Sequence, residues 1–344
     1  TPGYESGYLQ NNNFRNRMYN FELLALYNNS WGNFDFNATL GGNLYKVNNQ
    51  TIVTTAKDMK IRDVVALMSF NEVSVEPYSY RKQINSIYGA VNLGWKHMLY
   101  FDATLRGDQS STLPISNNMY IYPSFSGSFV FSELLKLGDK LPYGKVRMSW
   151  AQVGSDTDPY QLGLVYTKSK FAYPGYTIGY ISNGTIPNKD LKPTKTNSFE
   201  MGLELKFLKN RIGLDFTYYS QLSKNQIMGM ASSSTSGYGY RLINAGEIEN
   251  KGVEIALNTR PIQTKDFSWD LNFNFSKNSN KVKKLVDDMD MFELEKATWL
   301  DVQVAAKVGE NFGSIVGPDF QRNENGDILI DPSTRSEEHT SELQ

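Results

Sequence analysis

Apolar and polar residues alternate with a period of two through most of this chain, and that pattern leaves few architectures open. Phe199, Met201, Leu203, Leu205 and Phe207 are wholly apolar, whereas Glu200, Gly202, Glu204 and Lys206 between them are polar or small. Trp269, Leu271, Phe273 and Phe275 repeat the device against Asp270, Asn272 and Asn274, as do Ile212, Leu214, Phe216 and Tyr218 against Arg211, Asp215 and Thr217. Ile87, Val91, Leu93 and Trp95, then Leu99, Phe101, Ala103 and Leu105, carry it nearer the start. Successive side chains of a strand point to opposite faces, so each stretch reads as a strand with one apolar and one polar face. The 21 Tyr, 19 Phe and 5 Trp suit this reading, because aromatic rings fit a pleated sheet better than a helix.

About ten strands are predicted on this basis, at 18–28, 34–46, 84–95, 99–110, 121–131, 144–153, 196–207, 211–224, 245–259 and 267–277. The links between them alternate in length. Those at 29–33, 96–98, 208–210 and 260–266 are short and 132–143 is moderate; those at 47–83, 111–120, 154–195 and 225–244 are long. An antiparallel meander puts every second link on the same rim, so one rim carries short turns and the other long loops. Trp31, Phe34, Trp95, Phe207, Phe267 and Trp269 fall near the short-turn rim, where an aromatic girdle belongs. These are the marks of a transmembrane β-barrel; a soluble sandwich has strands of about 5–6 residues and no such asymmetry. Slipping 199–207 by one residue would turn Glu200, Glu204 and Lys206 to the bilayer, at roughly 2–4 kcal/mol for a basic residue at mid-membrane. The apolar face must therefore look out to lipid and the polar face into the lumen. No apolar run approaches the roughly 18 residues of a spanning helix.

Other classes find little support. The chain has no Cys, a net charge of -1 and no basic cluster, which removes a disulfide scaffold and a nucleic-acid footprint. Glycine-rich phosphate loops and Cys/His metal clusters are lacking, and no spacing pairs a nucleophile with a base, so no catalytic residue, metal or cofactor is expected and the chain is not read as an enzyme. His97 lies in a short turn beside Trp95 and reads as an interfacial residue. Asn323-Glu324-Asn325-Gly326-Asp327 fails the calcium-loop pattern, with Gln321 and Pro332 at ligand positions, and reads as an Asn-Gly hairpin. Residues 335–344, which include His339, match the translation of a sequencing-library adapter and are set aside. Thr1 enters mid-pattern without a start Met or signal peptide, which reads as truncation.

Two stretches carry a specific likeness. Asn188-Lys189-Asp190-Leu191-Lys192-Pro193-Thr194-Lys195-Thr196 resembles the segment before a barrel strand in TonB-dependent receptors, with Lys189 in place of the usual Pro and Thr194 in place of the usual Glu. Asn244-Ala245-Gly246-Glu247-Ile248-Glu249-Asn250-Lys251-Gly252-Val253-Glu254, followed by Asp266-Phe267-Ser268-Trp269, is similar to the signature stretch of the SusC/RagA family. Tyr88–Asp108 and Val308–Ile315 extend the resemblance over most of 14–334. Gly246 and Gly252 bracket an expected strand start, and Glu254 is expected to point into the lumen.

The resemblance implies an all-β fold, in which residues 1–334 supply part of an antiparallel barrel of about 22 strands, without its plug domain and terminal strands. It implies an outer-membrane protein of a Gram-negative bacterium that imports oligosaccharides or peptides. Its partners would be a SusD-like surface lipoprotein, TonB (through the missing N-terminal region), outer-membrane lipid and the substrate. A passive porin and a soluble carbohydrate-binding β-sandwich are the alternative readings. Tyr78, Tyr80, Tyr120, Tyr122, Tyr173, Tyr176, Tyr180, Tyr238 and Tyr240, placed in or beside the long loops, are the candidate substrate contacts, since their rings stack on sugars and their hydroxyls form hydrogen bonds.

Overall fold

The alternating stretches do form strands, and these pair in chain order. The computed structural model describes residues 7–330 except 62, 137, 169–175, 177, 182–183, 233, 287–288 and 298–301. The first half holds β1 (Tyr8–Trp31), β2 (Phe34–Met59), β3 (Phe70–Trp95), β4 (Leu99–Ser110), β5 (Met119–Phe129), helix α1 (Phe131–Leu135) and β6 (Tyr143–Ser155). Three short strands follow, β7 (Tyr166–Lys168), β8 (Gly179–Ile181) and β9 (Thr185–Ile186). Then come β10 (Thr194–Phe207), β11 (Ile212–Ala231), β12 (Tyr240–Gln263) and β13 (Ser268–Lys284), and last β14 (Met291–Lys296), β15 (Gln303–Lys307) and β16 (Phe312–Val316). β1-β2-β3-β4-β5-β6-β10-β11-β12-β13 form one antiparallel meander, β9 adds to β12, and β7–β8 and β14–β15–β16 form separate small sheets.

Register explains which face is which. Following Cα partners across the meander gives the row Trp31, Phe34, Trp95, Leu99, Phe129, Val146, Leu203, Phe216, Ile255 and Phe275, one residue from each strand and every one apolar. The row one step along runs Ser30, Asp35, Gly94, Tyr100, Ser128, Arg147, Gly202, Thr217, Glu254 and Ser276. It contains no aliphatic side chain, and it puts Glu254 on the lumen face as expected. The apolar face is left uncovered: Phe101, Leu105, Phe125, Phe273 and Phe275 are all exposed. Contiguous apolar surface of this extent is foreign to water-soluble monomers and suits a wall that faces lipid.

The turns at 32–33, 96–98, 208–211 and 264–267, with the α1 link at 130–142, share one rim. The links 60–69, 111–118, 156–193 and 232–239 share the other, and each is longer than any of the four tight turns. The rim asymmetry expected from sequence is present. Ring pairs Phe34–Trp95 and Trp31–Phe36 line the short-turn rim at 6.4 and 5.9 Å.

Two of the expected long loops are mostly strand. β2 and β3 pair from Lys46↔Gln83 to Met59↔Phe70, and β11 and β12 from Gln226↔Ala245 to Ala231↔Tyr240, so the true links are 60–69 and 232–239. β1 likewise begins at Tyr8 rather than near 18. Beyond the bilayer neither face meets hydrocarbon, so alternation fades, while β-branched residues such as Thr51, Ile52, Val53, Thr54 and Thr55 keep the backbone extended. Gly246 and Gly252 stand inside β12, not at its start. Gly246 has φ +78 beside a bulge at Glu247/Ile248, a conformation that costs other residues about 1–2 kcal/mol. Gly252 has an ordinary φ; a Cβ there would lie 2.5 Å from the Tyr219 hydroxyl and 2.6 Å from the Lys277 carbonyl oxygen.

The β14–β16 sheet was not expected, because its strands are short and their pattern weak. It sits on the long-loop side, where Val282, Leu285, Phe292 and Ala306 form a buried cluster with Met228 and Met230. The Val282 N–H donates to Glu310 O and the Gly309 N–H to Val282 O, both at 2.8 Å, which covers part of the β13 edge. The meander does not close: β1 and β13 are its two ends. Asn323–Asp327 is a tight turn with the antiparallel bridge Arg322↔Ile328, and Asn323 Oδ1 accepts the N–H groups of Asn325 and Asp327 at 2.9 Å. Residues 335–344 lie outside the described residues.

Candidate functional site: the inner wall

On the polar face of β1–β5 the side chains join into a chain of contacts. Gly41 on β2 leaves room for the Tyr88 ring, which a Cβ would approach to 2.5 Å, and the Tyr88 hydroxyl donates to the Glu22 carboxylate. The Arg106 guanidinium lies 5.4 Å over that ring, a cation–π distance. It donates to Asp108 Oδ1 at 2.9 Å and to Ser86 Oγ at 3.0 Å, while the Tyr122 hydroxyl donates to the other oxygen of Asp108. Nearer the long-loop rim, Asp156 accepts from Lys82 Nζ at 2.6 Å, from Thr112 Oγ1 at 3.1 Å and from Ser110 Oγ. This carboxylate is 11% exposed and tied to two strands and the 111–118 link, so it fixes the start of the 156–193 segment.

A second group spans β6, β10 and β11. Arg147 reaches across β10 to hold Asp215 with two hydrogen bonds, 3.0 and 2.8 Å, and Thr217 Oγ1 at 2.6 Å. The crossing passes over Gly202, where a Cβ would sit 2.4 Å from Arg147 Nε. Glycine is required there by a neighbour's path rather than by its own backbone. The hollow beside this pair is also lined by Glu254, Asn258, Asn274 and Ser276.

The two sequence stretches that carried the family likeness meet in space. Asn244 holds the Lys192 backbone from both sides, accepting its N–H at 2.7 Å and donating to its carbonyl at 2.7 Å. The same Nδ2 donates to Asn225 O at 3.1 Å, and Thr194 Oγ1 to that oxygen at 3.2 Å. Leu191, fully buried, packs with Leu113, Tyr120 and Leu242, with Tyr122, Leu162 and Ile227 around them. The 188–193 segment is thereby pinned against the inner wall. Sequence reasoning misses Asn244, Asp156 and Gly202, since their partners lie tens of residues away and no spacing points to them.

The tyrosine candidates divide. Tyr78, Tyr80 and Tyr120 stand on strands β3 and β5 rather than in the links expected there, a correction that follows from the longer strands, and Tyr122 lies near the start of β5 as expected. Tyr78 and Tyr80 share the inward face with Lys82 and are exposed. Tyr120 is buried in the cluster above, stacked on Tyr122 with ring centroids 5.9 Å apart. Tyr176 is exposed in the 156–193 link; Tyr238 is half-buried in the 232–239 link, and Tyr240 opens β12, exposed. Tyr173 and the side chain of Tyr180 lie outside the described residues. The wall therefore gathers Tyr78, Tyr80, Tyr122, Lys82, Arg106 and Asp108 on three adjacent strands. Its charges are largely neutralised in pairs, and it offers hydroxyls and aromatic faces to a solute.

Comparison with known proteins agrees with this architecture. Residues 1–309 match the family model described as TonB dependent receptor-like, beta-barrel. TonB-dependent receptor P3 of Formosa agariphila is 28% identical over 314 residues, 87% of this chain and 31% of that protein. TonB-dependent receptor SusC of Bacteroides thetaiotaomicron is 30% identical over 225 residues, 62% of this chain and 22% of its own length. The barrel chain of the RagAB peptide transporter superposes with a TM-score of 0.81 at 20% identity, covering 97% of this chain and 37% of that one. The outer membrane transporter YddB of Escherichia coli gives 0.54 at 13% identity, over 77% and 33%. This chain thus spans about a third or less of the curated relatives it matches. With an all-β meander, an apolar outer row and a family match over nearly its whole length, the chain belongs to the TonB-dependent receptor β-barrel family, alongside proteins of the SusC and RagA type.

Proposed function

We propose that this chain is wall and long-loop rim of an outer-membrane importer of a Gram-negative bacterium, energised through TonB and taking up oligosaccharides or peptides. The observation that carries it is the unbroken apolar row across ten strands with a polar row one residue away, in a chain of this family. Such a wall separates lipid from a polar passage; it has no need of a nucleophile or a metal, and the protein acts as a transporter rather than an enzyme. Coupling to TonB would belong to the part of its relatives' length that this chain does not span. A SusD-like surface lipoprotein would dock on the rim formed by 60–69, 156–193, 232–239 and the β14–β16 sheet. Tyr78, Tyr80 and Tyr122 are the side chains best placed to meet a solute, and Tyr173, Tyr176, Tyr180, Tyr238 and Tyr240 would complete the mouth; Tyr120 would act by holding Tyr122.

Uptake separates this reading from a passive porin. Cells making the full-length protein should accumulate labelled oligosaccharide or peptide, and a protonophore should abolish that uptake. Accumulation that persists without a proton-motive force would indicate a pore. A native protein that partitions into water without detergent would indicate a soluble sandwich.

A further inference from the structure

Four basic side chains stand on the outward face just above the apolar band. The β1–β2 and β2–β3 ladders run without a bulge from the Trp31/Phe34/Trp95 row upward, so parity is preserved along them. Outward positions therefore include Phe21, Leu23 and Ala25 on β1, Leu40 and Leu44 on β2, and Ile87 and Gly89 on β3. Beyond them the same parity brings Lys46 opposite Tyr19 and Gln83, Asn48 between Arg17 and Arg81, and Arg15 opposite Gln50. A tilted strand crosses the hydrocarbon in about 9–11 residues. Counted from Trp31 and Phe34, that span ends near Phe21 and Leu44. Lys46, Arg17, Arg81 and Arg15 come next, at the depth of headgroups.

These charges are uncompensated. Their neighbours on that face are Tyr19, Asn48, Gln50, Ser79 and Gln83, none acidic, and none of the four is ion-paired with a described residue. On β12 and β13, by contrast, an acid stands among the bases, with Lys251 and Lys283 sharing Glu249 at 2.8 and 3.5 Å. Directly beneath the four lies an open hollow of about 390 Å³ lined by Phe21, Leu23, Gly42 and Leu44. Below it lies a larger one of about 870 Å³, where Ala25, Gly89, Ala103 and Gly107 make a dip between Leu40 and Leu105. From the Lys46 row to the Gly89 row is about 20 Å of strand, at roughly 3.3 Å per residue, the reach of a fatty acyl chain. Arg17 and Arg81 are two strands apart, about 10 Å, which suits a headgroup with two phosphates better than one.

We infer that this face holds one phosphorylated lipid of the outer leaflet, its phosphates among Arg15, Arg17, Lys46 and Arg81 and an acyl chain in the hollow below. The inference rests on the outer-membrane reading above, and the test separates the two. The full-length protein is placed in phosphatidylethanolamine nanodiscs containing a minor fraction of lipid A, then released and weighed by native mass spectrometry. Wild type should retain one lipid A, and Arg17→Gln/Arg81→Gln about thirtyfold less, since each base near an anionic surface contributes roughly a fivefold factor. Gly89→Leu should also lower retention by filling the dip; its added Cβ meets only the Thr39 carbonyl oxygen, at 3.7 Å, so the fold tolerates it. Equal retention by wild type and the double variant, or equal retention of lipid A stripped of its phosphates, overturns the inference and leaves the outer-membrane reading standing. Failure of the wild type to enter nanodiscs overturns both.

Discussion

At the scale of single residues, the inner wall is held by side chains whose value lies in what they leave free or bridge. Gly202 is the clearest case. Replacing it with Ala puts a methyl group against Arg147 Nε and forces the guanidinium off Asp215. Both partners are 36% exposed, so solvent screening holds the loss to about 1 kcal/mol, below the usual value for a charge-assisted pair. Thermal unfolding of the full-length protein in detergent should show it, and Asp215→Asn should add little on top of Gly202→Ala, because both remove one interaction. Fully additive losses would mean that the bridge does not depend on the glycine. Asn244 permits a sharper test. Asn244→Ala removes three hydrogen bonds, worth roughly 1–3 kcal/mol together, and should expose 188–193 to proteases. Asn244→Asp should be at least as damaging, since its second oxygen then faces the carbonyls of Lys192 and Asn225 with no proton to give. An Asp variant as protease-resistant as the wild type would contradict the clamp.

At the scale of elements, alternation made the ten strands legible because lipid on one side and water on the other impose it on every side chain between. Where that contrast ends, so does the legibility. The upper halves of β2 and β3 meet water on both faces, and their Thr-, Val- and Tyr-rich segments show propensity without period, so the sequence reads them as loop. β14–β16 were illegible for a related reason: each is short, and they are ordered by pairing with one another and by packing on Val282 of β13 rather than by their own pattern. The inner-wall residues were partly legible. Tyr78, Tyr80 and Tyr122 were identifiable as aromatic and near the rim, whereas the Asp156 cluster and the Asn244 clamp depend on contacts across 30 or more residues that no local spacing encodes. For β10 the face assignment has a direct energetic consequence. Leu203→Lys should cost about 2–4 kcal/mol of folding stability in bilayers, while Glu204→Lys, one residue away on the lumen face, should cost little by comparison. Equal costs at 203 and 204 would remove the distinction between the faces.

At the scale of the whole molecule, the long-loop rim carries more structure among the described residues than the short-turn rim: the 156–193 link, the long β2–β3 and β11–β12 hairpins and the β14–β16 sheet all rise from it. The docking proposed there predicts that native protein, solubilised in mild detergent, co-purifies with a surface lipoprotein. Removing residues 60–69 should weaken that association without preventing insertion in the membrane. A barrel that repeatedly purifies alone would count against it. The central claim, however, is that one face of this sheet meets lipid and the other an aqueous lumen. Spin labels placed singly at Leu203, Phe216 and Ile255, and at their neighbours Glu204, Thr217 and Glu254, in the full-length protein in bilayers, test it most directly. The first three should relax readily with dissolved oxygen and the second three with a water-soluble paramagnetic agent. Labels at 203, 216 and 255 that respond to the water-soluble agent as strongly as their neighbours would contradict the account.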